Sequence, residues 1–235
     1  MSHRAGAPSD ADPTSDLPEL LPALPIFPLA NCVLLPGGVL PLHVFEPRYR
    51  DLTRAALAGD NLMAIAHLRP GYEPDYEGRP PVRPIAGVGR IICSDELPDG
   101  RFMLLLQGVG RIQIERELPP DHSYRTVVAR VLHDQTPGDA PRFAATYARL
   151  RQLCDQLAHA LETNGQRGGA QLRELVTCDG APGACADAVA AAIVTDVPTR
   201  RRLLEDRCPE SRIRGTIDAV TSLLCALAPC DGDVN

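Results

Sequence analysis

Apolar positions divide this chain into two parts. Up to about residue 135 they come in short runs, alternating or continuous, punctuated by Pro and Gly; beyond it they recur at helical spacing. In the first part, residues 25–29 and 33–35 are short apolar runs broken by Pro, Pro36-Gly37-Gly38 is a turn signal, and residues 39–45 alternate as a strand. Pro47 suits a first helical position. Tyr49, Leu52, Ala56 and Leu57 follow at helical intervals, and Gly59 ends the helix. Residues 62–68 read as a buried strand, residues 69–84 as a long Pro-rich loop, and residues 85–93 as the next strand. Pro98-Asp99-Gly100 turns into a strand over 102–106, and residues 112–114 and 124–132 supply the last strands. About six strands with one helix, joined mostly as hairpins, suggest a closed or nearly closed barrel.

In the second part, Phe143, Tyr147, Leu150, Cys154, Leu157 and Leu161 mark one helix. Ile213, Ile217, Val220, Leu224 and Leu227 mark the last, opened by Pro209 and closed by Pro229. Short helices over 171–176, 184–194 and 199–206 lie between, and short connections favour a small bundle. The expected class is therefore α+β. Residues 1–23, rich in Pro, Ser and Asp, form a disordered leader, residues 24–135 the β-barrel and residues 136–235 the helical bundle. No run of about 18 uncharged apolar residues exists, and the first residues lack the apolar segment of a secretory signal, so the expected location is cytoplasmic.

Charge removes several functions. The net charge of −6 argues against a general polyanion binder. All 24 basic residues are Arg, and no Lys occurs. A phosphate-binding Walker loop, a Ser–Lys dyad and a Schiff base each need that ammonium or amine, and Arg does not deprotonate to replace it. The six His and eight Cys show no spacing typical of zinc ligands, so no metal or cofactor is expected; the thiols read as free and buried. No Gly-x-Ser-x-Gly occurs, and no catalytic residue is assigned.

Four features remain. Gly87-Val88-Gly89-Arg90-Ile91 and Gly108-Val109-Gly110-Arg111-Ile112 are near repeats. Without a third Gly and a following helix they read as bulges or close strand approaches, not as a nucleotide loop. Glu46 and Arg48 stand at a helix start, where the acid meets unpaired N–H groups. Arg200, Arg201, Arg202, Arg207, Arg212 and Arg214 form the one basic cluster. The spacing of Arg201 to Glu205 and Arg202 to Asp206 suggests a solvated, paired helix face. In the long loop, Tyr72 and Tyr76 could anchor a partner, or the loop could fold back on the barrel. Tyr72, Tyr76, Phe45 and Arg48 are the candidate partner-binding residues.

The order of these pieces resembles a known family. Leu24-Pro25-Ile26-Phe27-Pro28-Leu29, followed by Val33-Leu34-Leu35-Pro36-Gly37-Gly38-Val39-Leu40-Pro41-Leu42, is similar to the opening of the Lon protease N-terminal domain. Phe45-Glu46-Pro47-Arg48-Tyr49 resembles its stand-alone bacterial members. The two glycine repeats, Asp99-Gly100-Arg101-Phe102, Asp187-Ala188-Val189-Ala190, Leu203-Leu204-Glu205 and Arg212 follow in order, over about residues 24–227. One departure is Val88, where many members carry Thr. The resemblance implies a PUA-like pseudo β-barrel joined to a helical bundle. It also implies a non-catalytic protein- or peptide-binding module, an adaptor in protein quality control, taking unfolded polypeptide in a groove between barrel and bundle or by strand addition. The alternatives are an RNA-binding PUA-like protein, against which the charge speaks, and a small-molecule sensor.

Overall fold

The computed structural model describes residues 17–76, 78–177 and 180–227. Leader residues 1–16, Cys178, Pro229 and Cys230 lie outside them.

Six strands and six α-helices make an α+β fold. The strands are β1 (Leu20–Leu29), β2 (Val39–Val44), β3 (Leu62–His67), β4 (Ile85–Glu96), β5 (Phe102–Glu117) and β6 (Arg125–Val131). Their order is β2-β5-β4-β3-β1-β6, and β5 also pairs with β6. Five strands therefore close into a ring, while β2 lies at an edge outside it. Only β1 and β3 run parallel; every other pair is antiparallel.

Two expectations need correction. β1 begins at Leu20, so the last four residues assigned to the leader are strand. Pro22 hides the alternation there, yet Leu21 pairs with Ala129 and buries with Leu17 in the ring interior. The separate strands expected over 102–106 and 112–114 are one 16-residue strand, β5. Its glycines bend it instead of ending it. The register against β4 shifts at Val88 and Gly89, opposite Gly110 and Gly108, as bulged strands do. A Cβ on Gly87 would stand 2.0 Å from the Leu34 carbonyl oxygen, and one on Gly108 2.2 Å from that of Leu35. The glycine repeats thus let two strands pass directly beneath the segment that follows β1.

β3 shows why a continuous apolar run belongs here. Leu62, Ala64 and Ala66 fill the ring interior, and Met63 and Ile65 face a second core on its outside. That second core is closed by α1 (Pro47–Ala58), whose Tyr49, Leu52 and Ala56 pack on Phe27, Leu104 and Leu106. Tyr49 stacks on Phe27 with ring centres 4.0 Å apart.

Helices α2 (Ala140–Thr163), α3 (Gly169–Thr177), α4 (Pro182–Ile193), α5 (Val197–Glu205) and α6 (Pro209–Leu227) follow. Asp139 caps α2 by accepting from Arg142 N, and Asp196 caps α5 by accepting from Thr199 N. Leu150, Leu157, Val189 and Ile213 centre the core shared by α2, α3, α4 and α6. A further cluster of Val33, Leu35, Ala190, Val194, Leu203 and Leu204 joins the helices to the strand ring. At Gly37, with φ 76°, a Cβ would come 2.8 Å from Ala188 Cβ, so the turn before β2 sits directly on α4.

Candidate functional site

Side chains on β2, β4 and β5 form a three-stranded ribbon that extends past the ring. Directly opposed residues share a face, so the register sorts its side chains. Leu40 faces Leu106, Leu42 faces Leu104 and Val44 faces Phe102, and all six pack toward the α1 core. The intervening rows face outward: Val39 with Gln107, Pro41 with Leu105 and Cys93, and His43 with Met103 and Asp95. On that outer face and at its margins, large apolar side chains stay open: Phe45 is 59% exposed, Val39 53%, Ile92 50%, Met103 46% and Leu105 38%. With Pro41 they give this face a concentration of open apolar side chains, set among Gln107, His43 and Asp95, and exposed apolar clusters of this kind mark contact sites. β2 ends the strand order, so its outer edge has no strand partner among the described residues. Pro41 lies on that edge strand and lacks a backbone donor there, which blunts strand addition.

The sequence-derived candidates separate into two places. Phe45 belongs to this open face and tilts against His43, ring centres 5.9 Å apart. Arg48, Tyr72 and Tyr76 lie in the loop region around the start of α1. Arg48 Nε donates to Glu46 Oε2 at 3.0 Å and its Nη1 to the Tyr76 carbonyl at 3.3 Å. The Tyr76 hydroxyl donates to Glu46 Oε1 at 3.2 Å. Glu46 accordingly does not cap α1 with its side chain, as the sequence suggested; its carboxylate is held by Arg48 and Tyr76, and only its carbonyl serves the helix. Burial, followed by the nearby Glu46 carboxylate, pushes the Tyr76 phenol up. The ring of Tyr76 lies 6.2 Å from that of Tyr72, and both line a groove of about 560 Å³ with Pro28, Leu29 and Cys32. The loop over 69–84 is thus folded back onto the end of β1.

Polar chemistry inside the protein concentrates between strands and helices. Arg111 donates to Asp187 through both terminal nitrogens, at 2.9 and 2.6 Å, and to the carbonyls of Leu203 and Leu204. Arg212 reaches Asp187 Oδ1 at 3.0 Å and holds Asp134 bidentately at 2.8 and 2.6 Å. Burial alone would lower the Arg212 pKa; Asp134 and Asp187 outweigh it and raise it, keeping the guanidinium charged. This corrects the reading of the basic cluster as a solvated face. Arg201 does lie 3.8 Å from Glu205, but Arg212 is buried and Arg200 donates to the carbonyls of Val33, Ala191 and Val194.

The thiols differ from expectation as well. Of the six described Cys, only Cys154 and Cys185 are buried; Cys93 and Cys225 are exposed. Burial pushes Cys154 up to about 12. Among the described residues no three His, Cys, Asp or Glu gather as a metal site, and no helix is long and apolar enough to cross a membrane.

Comparison with known proteins places this geometry. Residues 23–222 match the family described as the ATP-dependent protease La (LON) substrate-binding domain. Lon protease 2 of Myxococcus xanthus is 27% identical over 86% of this chain and 23% of its own length. The Lon protease of Roseiflexus castenholzii is 32% identical over 66% of this chain and 20% of its own. The chain therefore spans between a fifth and a quarter of the length of these relatives. Among solved structures, the N-terminal domain of a Mycobacterium avium complex Lon protease superposes with a TM-score of 0.61 at 20% identity, over 85% of this chain and 98% of that one. A Lon N-terminal domain protein from Xanthomonas campestris gives 0.56 at 22% identity, over 84% and 98%. At such identity these structures share the fold with this chain.

Proposed function

This chain belongs to the LON substrate-binding domain family, and from that premise we propose that it is a non-catalytic module that holds unfolded polypeptide on the open apolar face of the β2–β5–β4 ribbon. The single observation that carries the reading is the outward row of Val39, Pro41, Leu105 and Met103, flanked by Ile92 and Phe45. An extended chain laid across it would bury apolar side chains at about 25 cal/mol per Å². Pro41 makes a side-chain contact across the face a better fit than backbone pairing at the β2 edge.

The reading that the chain holds rather than cuts rests on two points. The match covers only the substrate-binding region of the relatives, and the absence of Lys removes lysine-dependent chemistry from this sequence. Presentation of a held polypeptide to a separate protease, in the cytoplasm, is the adaptor role that fits such a module. The strand ring and helical half are read as the PUA-like barrel and bundle of that family, divided near residues 135 and 136. Tyr72 and Tyr76, with Arg48 held against Tyr76, serve as a second, flanking contact at the groove that the two tyrosines line.

The test is binding of a carboxymethylated, permanently unfolded protein, followed by fluorescence anisotropy. Met103→Asp combined with Leu105→Asp places two charges on the face without touching the core. The expected result is at least a tenfold loss of affinity with thermal stability close to the parent's. Undiminished binding by this folded variant would remove the face from the proposal.

A further inference from the structure

A second cluster lies where the ends of β1 and β3 meet α5, and the polypeptide-holding reading makes no use of it. His67 closes β3; its carbonyl accepts from Arg83 N at 2.8 Å, which brings the Arg83 side chain to the same end of the ring. From α5, Arg201 and Glu205 face this point. Glu205 Oε1 stands 4.0 Å from Arg83 Nη1 and 3.8 Å from Arg201 Nε, beyond hydrogen-bond reach of both. The buried Nδ1 of His67 has no hydrogen-bond partner, and the buried Nε–H groups of Arg83 and Arg201 have no acceptor, among the described residues. The neighbouring Arg200, near Cys32, gives its nitrogens to the carbonyls of Val33, Ala191 and Val194 and takes no part in this cluster. Two guanidiniums thus face one carboxylate, and the Nε–H groups of both lack acceptors. Such an excess of donors and positive charge is the arrangement that binds oxyanions.

We propose that this seam binds a small oxyanion, a phosphate or a carboxylate, between Arg83, Arg201 and the His67 ring. The bound anion accepts from the guanidiniums and clamps the strand ring to α5. In its absence the field around His67 disfavours a proton: burial lowers the ring's pKa most, then Arg83 and Arg201, while its hydrogen bond to the Cys32 carbonyl and the charge of Glu205 act the other way. A bound anion reverses the balance and raises the His67 pKa.

The experiment follows the His67 ring by NMR in isotope-labelled full-length chain, its signals assigned with His67→Gln. Inorganic phosphate and sodium acetate are titrated separately, against chloride at equal ionic strength. The expected result is a saturable shift at His67 with an upward move of its titration midpoint. Arg83→Gln and Arg201→Gln each weaken the apparent affinity about tenfold or more, the size expected for a charge-assisted contact. Glu205→Gln acts in the opposite sense and tightens it several-fold, because the anion no longer competes with a carboxylate. Saturation with phosphate alone assigns the site to phosphate; saturation with acetate as well assigns it to carboxylates, including those of polypeptides. A response equal to that of chloride, or one that persists in the folded Arg83→Gln/Arg201→Gln protein, overturns the proposal. So does Glu205→Gln that weakens binding.

Discussion

Asp187, 2% exposed, is the buried carboxylate that joins two guanidiniums from different parts of the chain. It sits in the apolar stretch of α4 and is shared by Arg111 from β5 and Arg212 from α6. Nothing in its local sequence announces this. Arg111 reads as part of a glycine repeat and Arg212 as part of a basic cluster, and the pairs lie 76 and 25 positions apart. Removing one member of a buried ion pair strands the others, at a typical cost of about 3–5 kcal/mol. Asp187→Asn is accordingly expected to lower stability by that order in urea unfolding, where an exposed pair such as Arg130 with Glu115 would shift it by less than about 1 kcal/mol. The thiols make a second residue-scale prediction. With Cys154 pushed up to about 12, its thiolate is scarce at pH 8, so a maleimide should label exposed Cys93 and Cys225 first and Cys154 only on unfolding. Rapid labelling of Cys154 in the folded chain would contradict this placement.

Among the elements, β5 shows both the reach and the limit of pattern reading. Residues 102–106 are all apolar, which marks a strand correctly but hides which half is covered. Phe102, Leu104 and Leu106 are buried, whereas Met103 and Leu105 face out, because this end of β5 has left the ring and has a core on one side only. Phe45 was named as a candidate at the end of the strand expected over 39–45; Met103, Leu105, Val39 and Ile92 were not named. The signal that could have found them is a uniformly apolar strand next to one, β2, that alternates. The glycine repeats, in contrast, were readable as close approaches, and the register shift bears this out. Gly108→Ala would put a methyl group against the Leu35 carbonyl, a rigid backbone neighbour. A loss of about 1–3 kcal/mol is expected from such overpacking. Alanine at Gly138, with nothing near its Cβ, is the control and should change stability little.

For the whole molecule, the seam decides behaviour. Val33 and Leu35 bury with residues of α4 and α5, and the Arg111–Asp187–Arg212–Asp134 chain of charges crosses the same boundary. Strands and helices should therefore unfold together. Tyrosine fluorescence, reporting mainly the strand half, and far-UV circular dichroism, reporting mainly helices, are expected to give coincident urea transitions. Two separated transitions would show the halves to be independent. What the sequence by itself determined was the kind and order of elements, the apolar residues available for a core and the lack of lysine chemistry, since periodicity and composition are local properties. Tertiary structure alone decided which apolar face stayed open and which distant charges met. Periodicity tells which side chains share a face, but only the packed chain determines what covers it and which opposite charge lies close enough to offset the cost of burial.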